Sequence, residues 1–290
     1  MKHITAALIK ELREKTGAGM MDCKKALVET HGKFNEAVAY LRKKGQASAS
    51  SKSGRMTAEG IAAILIDDFS ATIVEINSET DFVTRNDKFH ALIDGIRKTA
   101  LKFDSVEELK KARYLDSDKT VGEEILSMIS VLGENIILRR TERFHIHRGV
   151  IGGYIHNALM DNGGKIAALV LLESELPLQK LQPLAKQLAM HVAATKPEFL
   201  TIEDMDDDLL CKEEEIFREQ VKVTGEQDNV IEEMVADKIQ KYYQEVVLFE
   251  QAFIMDTGIK IIDVMKNFEQ KHGEKVELKN FVRYQVGEGI

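Results

Sequence analysis

Gly60-Ile61-Ala62-Ala63-Ile64-Leu65-Ile66, followed after turn residues 67–70 by Ala71-Thr72-Ile73-Val74-Glu75-Ile76, reads as the two strands of a hairpin. The spacing of Phe89, Leu92, Ile93 and Ile96 then predicts a long helix over about 85–102 with one apolar face. Thr84 with Asp87 three residues later has the form of a capping box, which starts that helix just beyond Val83. Shorter helices are expected over 106–113 and 121–131, and Asn135-Ile136-Ile137-Leu138-Arg139-Arg140 reads as a closing strand.

Working downstream, the same order recurs. Gly149-Val150-Ile151-Gly152-Gly153-Tyr154-Ile155-His156 is a strand, Asp161-Asn162-Gly163-Gly164 a turn, and Lys165-Ile166-Ala167-Ala168-Leu169-Val170-Leu171-Leu172 a second strand. A helix over 178–194 follows. Strand, turn, strand and long helix therefore occur twice, which predicts an α+β core of two related halves, 57–148 and 149–290. Within the second half, 203–250 is highly charged, with Ile216, Phe217, Val221, Ile231, Met234, Val235 and Ile239 at helical spacing. Thr224-Gly225-Glu226-Gln227-Asp228-Asn229 divides it, so a projecting helical coiled-coil hairpin is expected. A helix over 259–271 and the strand Phe281-Val282-Arg283-Tyr284-Gln285-Val286 complete the chain.

Upstream of the hairpin, residues 1–45 read as three short helices. Thr5, Asp22 and Asn35 are candidate N-caps, and Gly17, Gly32 and Gly45 candidate stops. Gln46-Ala47-Ser48-Ala49-Ser50-Ser51-Lys52-Ser53-Gly54 is small and polar, so 46–56 is expected to be a flexible linker to a small N-terminal domain.

The 290 residues suffice for two or three domains, and 44% hydrophobic with 30% charged residues is ordinary for a globular chain. No apolar run reaches membrane-spanning length, and Met1-Lys2-His3-Ile4 leads into an amphipathic segment rather than a signal-peptide core. Two cysteines, Cys23 and Cys211, exclude a disulfide scaffold and fit a reducing cytoplasm. A net charge of −8 argues against nucleic acid as the main ligand, because phosphate binding needs a cationic surface.

Chemistry finds no foothold. There is neither a P-loop nor a Gly-x-Gly-x-x-Gly after a strand, and no cofactor is implied. His145 and His147 share a strand face and could bind zinc, but no third ligand is evident and a solvated pair is the plainer reading. Cys23 could be a nucleophile, yet its place on an apolar helix face favours core packing. Two places stand out instead. In Gly17-Ala18-Gly19-Met20-Met21, a glycine-rich turn presents two methionines, either as a contact surface or as packing within the small domain. In Thr80-Asp81-Phe82-Val83, Phe82 lies in a strand-to-helix connection. It is either tucked under the sheet or held out as a wedge, and residue type alone favours burial.

Leu12-Arg13-Glu14-Lys15-Thr16-Gly17-Ala18-Gly19-Met20-Met21-Asp22-Cys23-Lys24-Lys25-Ala26-Leu27 closely resembles the N-terminal signature of the bacterial elongation factor Ts family, and Glu79-Thr80-Asp81-Phe82-Val83 its second signature. Gly133-Glu134-Asn135, Met190-His191-Val192-Ala193-Ala194, Phe281-Val282-Arg283-Tyr284 and Val286-Gly287-Glu288-Gly289 follow in family order. The resemblance implies a ubiquitin-associated-like helical domain, a two-part core, and a projecting hairpin through which a homodimer could form. It also implies a cytoplasmic exchange factor that releases GDP from elongation factor Tu without covalent chemistry. Carried over, Asp81 and Phe82, flanked by Thr80 and Val83, would enter the GTPase domain and disturb its magnesium, which reverses the preference for a buried Phe82. Arg13, Met20, Met21 and Lys24 would lie near the same domain, with Leu132 and Gly133 in a core contact loop. His156 would face a β-barrel domain of the partner, and Ile254 and Met255 form a contact pair after the hairpin. Two departures stand against the pattern: the turn after His156 lacks the family's usual glycines, and the sequence stops at Ile290, where many relatives continue into a further helix.

Two rival readings remain at this stage. One is a ubiquitin-associated-type adaptor that only scaffolds. The other is an RNA-binding protein using Arg139, Arg140, Arg143 and Arg148.

Overall fold

The computed structural model describes residues 4–223 and 227–290. The chain divides into two compact units. The first holds the described residues of Met1–His145 together with Ile155–Ala167 and Tyr284–Ile290; the second holds Ile146–Tyr154 and Ala168–Arg283.

Three helices open the first unit. α1 (Ala6–Thr16) is capped by Thr5, whose side chain accepts from the Leu8 N–H, and ends at Gly17 in the left-handed region. α2 (Met20–Glu29) starts two residues before the expected cap Asp22, with Gly19 as N-cap. α3 (Phe34–Lys52) has Lys33 as its N-cap, two residues before the expected cap Asn35. Leu12, Cys23, Ala26, Leu27, Ala37 and Leu41 form the core of this group.

The expected stop at Gly45 and much of the expected flexible linker are absent, because α3 runs through Gly45 to Lys52. Two contacts explain this. A Cβ at Gly45 would sit 2.8 Å from Ser130 Oγ, so the bare glycine lets a second helix approach at that point. Ala49 is buried in the main core of the unit. Tertiary packing thus outweighs the cost of about 1 kcal/mol that glycine carries in a helix interior.

β1 (Glu59–Asp67) and β2 (Ser70–Ser78) form the expected hairpin, in register from Glu59↔Ser78 to Asp67↔Ser70. A short turn, α4 (Asp81–Thr84), leads into α5 (Asp87–Ala100). The cap of α5 is Asn86, which accepts from the Lys88 N–H at 2.9 Å, rather than Thr84. Phe89, Leu92, Ile93 and Ile96 pack against Ile61, Ala63, Val74 and Ile76 of the hairpin. Each such side chain contributes about 1.5–3 kcal/mol on burial, so this face holds the half together. α6 (Val106–Lys111) and α7 (Val121–Leu132) follow, the latter with a complete capping box between Thr120 and Glu123.

β3 (Ile136–His145) pairs antiparallel with β2. The register shifts between Glu75 and Ile76, so that Glu75 pairs with Arg140 and Ile76 with Leu138. This bulge leaves Arg139 as the extra residue, and both arginines bond the same buried carboxylate. Arg139 Nη1 lies 3.0 Å and Arg140 Nε 2.6 Å from Glu75, which also accepts from Asn77 Nδ2 and from the Gly287 N–H.

β4 (Val150–Met160) and β5 (Gly163–Glu173) turn at Asp161-Asn162 and contribute residues to both units. In the first unit β5 pairs with β1 through Ala62↔Gly164 and Ala63↔Gly163. The second unit contains α8 (Leu178–Thr195), α9 (Asp207–Lys222) and α10 (Asp228–Val246). Gly152 of β4 meets the backbone of Ala185 in α8 so closely that a Cβ would lie 2.5 Å from it.

α9 and α10 form the expected helical pair. Ile231, Val235, Ile239 and Tyr243 repeat every four residues along its core, joined by Val221. Arg218 bonds Glu232, and Phe217 meets Tyr242 edge to face, which is antiparallel pairing. Ile216, expected on the apolar stripe, is exposed. Thr224, Gly225 and Glu226 of the expected break lie outside the described residues. β6 (Ala252–Phe253) pairs with β7 (Asp256–Lys260), and α11 (Ile261–His272) and β8 (Glu277–Gln285) end the chain's regular structure.

Candidate functional site

The segment that leaves β2 carries the most unusual side chain of the first unit. Phe82 is 81% exposed, whereas its neighbours Val83 and Thr84 are buried. Successive side chains on a helical turn point about 100° apart, so seating Val83 in the core turns Phe82 outward. The burial that residue type favoured for Phe82 is thus taken by the residue after it. Asp81 is exposed beside it and lies 3.9 Å from Arg85, a surface pair that contributes little.

The turn is braced at both ends. Thr84 Oγ1 donates to the Asp81 carbonyl at 2.7 Å, and His90 Nε2 lies 2.7 Å from the Thr84 carbonyl. At the other end Ser78 Oγ donates to the Thr80 carbonyl at 3.1 Å. Glu134, just beyond the C-terminus of α7, accepts from both the Thr80 N–H at 3.0 Å and the Thr80 hydroxyl at 2.6 Å. Glu79 answers in the other direction, accepting from the Asn135 N–H at 2.6 Å. Leu132 and Gly133 therefore stand beside the Phe82 turn, with Gly133 closing α7 in the left-handed conformation. Sequence reasoning assigned no role to Glu79 or Glu134. Their only signal was their place inside two quoted motifs.

The N-terminal residues join this region through the glycine turn. A Cβ at Gly17 would lie 3.3 Å from Val131 Cγ2, one residue before Leu132. Arg13 and Gly17 line a recess together with Lys88 from the first turn of α5. Met20 and Met21 are exposed, Met21 at 73%, so neither is packed away within the small domain, and Lys24 is exposed with them. Cys23, by contrast, is buried, and burial pushes its thiol pKa up. That suits core packing and not nucleophilic chemistry.

His156 is exposed on β4, within the first unit. Ile254 and Met255 belong to the second unit, at the turn joining β6 and β7. That turn is held by a buried histidine: the Ile254 N–H donates to His191 Nδ1 at 3.3 Å, while His191 Nε2 lies 2.9 Å from Gln251 Oε1. Nδ1 accepting and Nε2 donating defines the neutral tautomer, and burial lowers the His191 pKa.

Arg139 and Arg140 are turned onto Glu75, Arg143 grips Asp104 at 2.7 and 3.1 Å, and Arg148 pairs with Glu175. Each of the four arginines named for RNA binding thus faces a carboxylate. Among the described residues no group of three or more His, Cys, Asp or Glu could hold a metal ion, and no helix is long and apolar enough to cross a membrane. A cavity of about 310 Å³ in the first unit is lined by Val38, Leu41, Leu126 and Val131, with Lys119 and Glu123 also at its wall. None of residues 79–83 lines it.

A family model described as elongation factor TS matches residues 79–288, starting at the segment that bears Phe82. Among curated relatives, the chain is 45% identical to elongation factor Ts of Rickettsia felis over 289 residues, covering 99% of this chain and 93% of the relative. It is 45% identical to elongation factor Ts of Rhodospirillum centenum, over all of this chain and 95% of that one. It is also 46% identical to elongation factor Ts of Rickettsia akari over 289 residues.

Proposed function

The chain belongs to the elongation factor Ts family, and on that premise we propose that it is a guanine-nucleotide exchange factor that binds elongation factor Tu and drives GDP from it. Such a factor works by linkage. It binds the nucleotide-free GTPase more tightly than the nucleotide-bound form, and by reciprocity weakens nucleotide binding by the same factor.

The observation that carries this reading is the exposure of Phe82 on a turn braced from both sides. An aromatic ring kept in water by a rigid support costs free energy until a partner covers it. If it enters between two helices of the GTPase, its burial stabilises only the parted arrangement. Asp81, beside it, brings a negative charge towards the magnesium that ties phosphate oxygens to the GTPase, and weakening that ion loosens the nucleotide. Leu132, Gly133, Arg13, Met20, Met21 and Lys24 extend the same face of the first unit, while His156, Ile254 and Met255 serve further contacts with the partner. The protein performs no covalent step itself and acts in the cytoplasm.

The test is release of fluorescent GDP from elongation factor Tu in a stopped-flow instrument at fixed magnesium. Burying a phenylalanine is worth about 1.5–3 kcal/mol, so Phe82→Ala should slow the accelerated release between about tenfold and about a hundredfold while weakening docking less. Equal losses in rate and docking would rule out a wedge. Binding without any acceleration by the wild-type protein would leave only a scaffold.

A further inference from the structure

We propose that Glu134 is a positioning residue for the Phe82 wedge, a role that rests on the exchange reading above. The N-terminal end of the turn has no capping side chain of its own. Glu134 instead anchors the N-cap residue itself from 54 residues away, with one carboxylate oxygen on the Thr80 N–H and the other on the Thr80 hydroxyl. A single carboxylate holding a backbone and a side-chain donor of one residue fixes that residue's orientation as well as its place, because both bonds must be satisfied together.

The clamp is reciprocal. Glu79, next to Thr80, accepts from the N–H of Asn135, next to Glu134. Arg55 Nη1 lies 3.4 Å from both Glu79 oxygens, and Asn135 Nδ2 donates to the Arg55 carbonyl at 3.2 Å. Three chain segments, those following α3, β2 and α7, are thereby cross-tied at one polar node. A wedge that parts two helices is pushed back by them with equal force. On a free loop that force would be absorbed by recoil of Phe82. Here Val83 blocks movement on one side, and the node passes the load from Thr80 into the end of α7. Glu134 touches neither nucleotide nor magnesium in this account; it acts through the stiffness of the turn.

A role confined to stability would lower activity only by reducing the folded fraction, so the test separates the two. Wild type, Phe82→Ala, Glu134→Ala and Glu134→Gln are compared for GDP release from elongation factor Tu over a range of factor concentrations, and the free proteins for amide hydrogen exchange at residues 79–84. Loss of a charge-assisted pair of bonds predicts a fall of about tenfold in the saturating release rate of Glu134→Ala, with the half-saturating concentration changed far less. Exchange at residues 79–84 should rise in the same variant. Glu134→Gln can still accept from the Thr80 N–H and donate to the Thr80 hydroxyl, so it should keep most of the rate. A wild-type saturating rate in Glu134→Ala, or a Glu134→Gln as slow as Glu134→Ala, would overturn the inference. Failure of the exchange reading looks different: it appears in the wild-type protein and in Phe82→Ala, whereas failure of the positioning role appears only in the Glu134 variants.

Discussion

Replacing Glu75 by alanine would remove the one carboxylate that holds four donors at the centre of the first unit. The side chain is fully buried and accepts from Arg139, Arg140, Asn77 and the Gly287 N–H at 2.6–3.1 Å. Deleting one partner of a buried ion pair typically costs about 3–5 kcal/mol, because the charge left behind is uncompensated. Here the arginine side chains are 25% and 32% exposed, so each can turn partly towards water, which places the cost at the lower end, about 3 kcal/mol. For a unit of this size that corresponds to a fall of about 6–12 °C in its melting temperature. The loss has a location too. Tyr284 donates to Glu142 at 2.8 Å and lies under the Arg140 guanidinium, while Arg139 and Arg140 also bond the carbonyls of Glu288 and Gln285. Freed from Glu75, residues 284–290 should lose protection against amide hydrogen exchange ahead of the sheet. Guanidinium unfolding followed by circular dichroism, with exchange mapped by mass spectrometry, measures both effects. A loss below about 1 kcal/mol, with residues 284–290 still protected, would refute the reasoning that this buried carboxylate organises the end of the chain.

Two further outcomes follow from the second unit. His191 has a folded-state pKa lowered from 6.5, mainly by burial, so the unfolded chain binds its proton more readily than the folded one. Its contribution is therefore present above about pH 6.5 and lost as pH falls below that value; His191→Gln should flatten this part of the stability–pH curve, and parallel curves for the two proteins would contradict it. Gly152→Ala places a Cβ 2.5 Å from the carbonyl group of Ala185, in backbone that cannot rotate away, and should cost about 2–3 kcal/mol in thermal or denaturant unfolding, whereas a neutral result would mean that α8 can shift freely from β4.

How much was legible in the sequence depended on how local each determinant is. The β1–β2 hairpin, α5 and the helical pair α9–α10 were readable because alternation, helical spacing and turn residues all lie within a few positions of one another. β3 reaches His145, five residues beyond its expected end, since its later residues are charged and keep the ladder without an apolar signal. Gly45 and Phe82 were misread from residue type for one reason. The atoms that decide them, Ser130 for the first and the Val83 anchor with Glu134 for the second, carry no mark in the local pattern. Arg139 and Arg140 entered the RNA-binding rival because their partner, Glu75, is a strand neighbour 64 and 65 residues earlier. Of the candidate site, the glycine turn with its two methionines stood out from the residues themselves and an outward Phe82 followed only from the family signature, while the Glu79–Glu134 node could be found only from the folded chain.

The unbroken α3 has a consequence of phase. A flexible spacer tolerates the gain or loss of a residue, since only its reach changes. A helix of 19 residues, about 28 Å long, sets an angle as well as a length. Each residue added or removed between Gly45 and Lys52 swings everything before it by about 100° about the helix axis and advances it by about 1.5 Å. The exposed methionines of α2 and the Phe82 turn are thereby held at a fixed bearing to one another, like two jaws cut on one shaft, and the count of small residues in that stretch is itself a structural parameter.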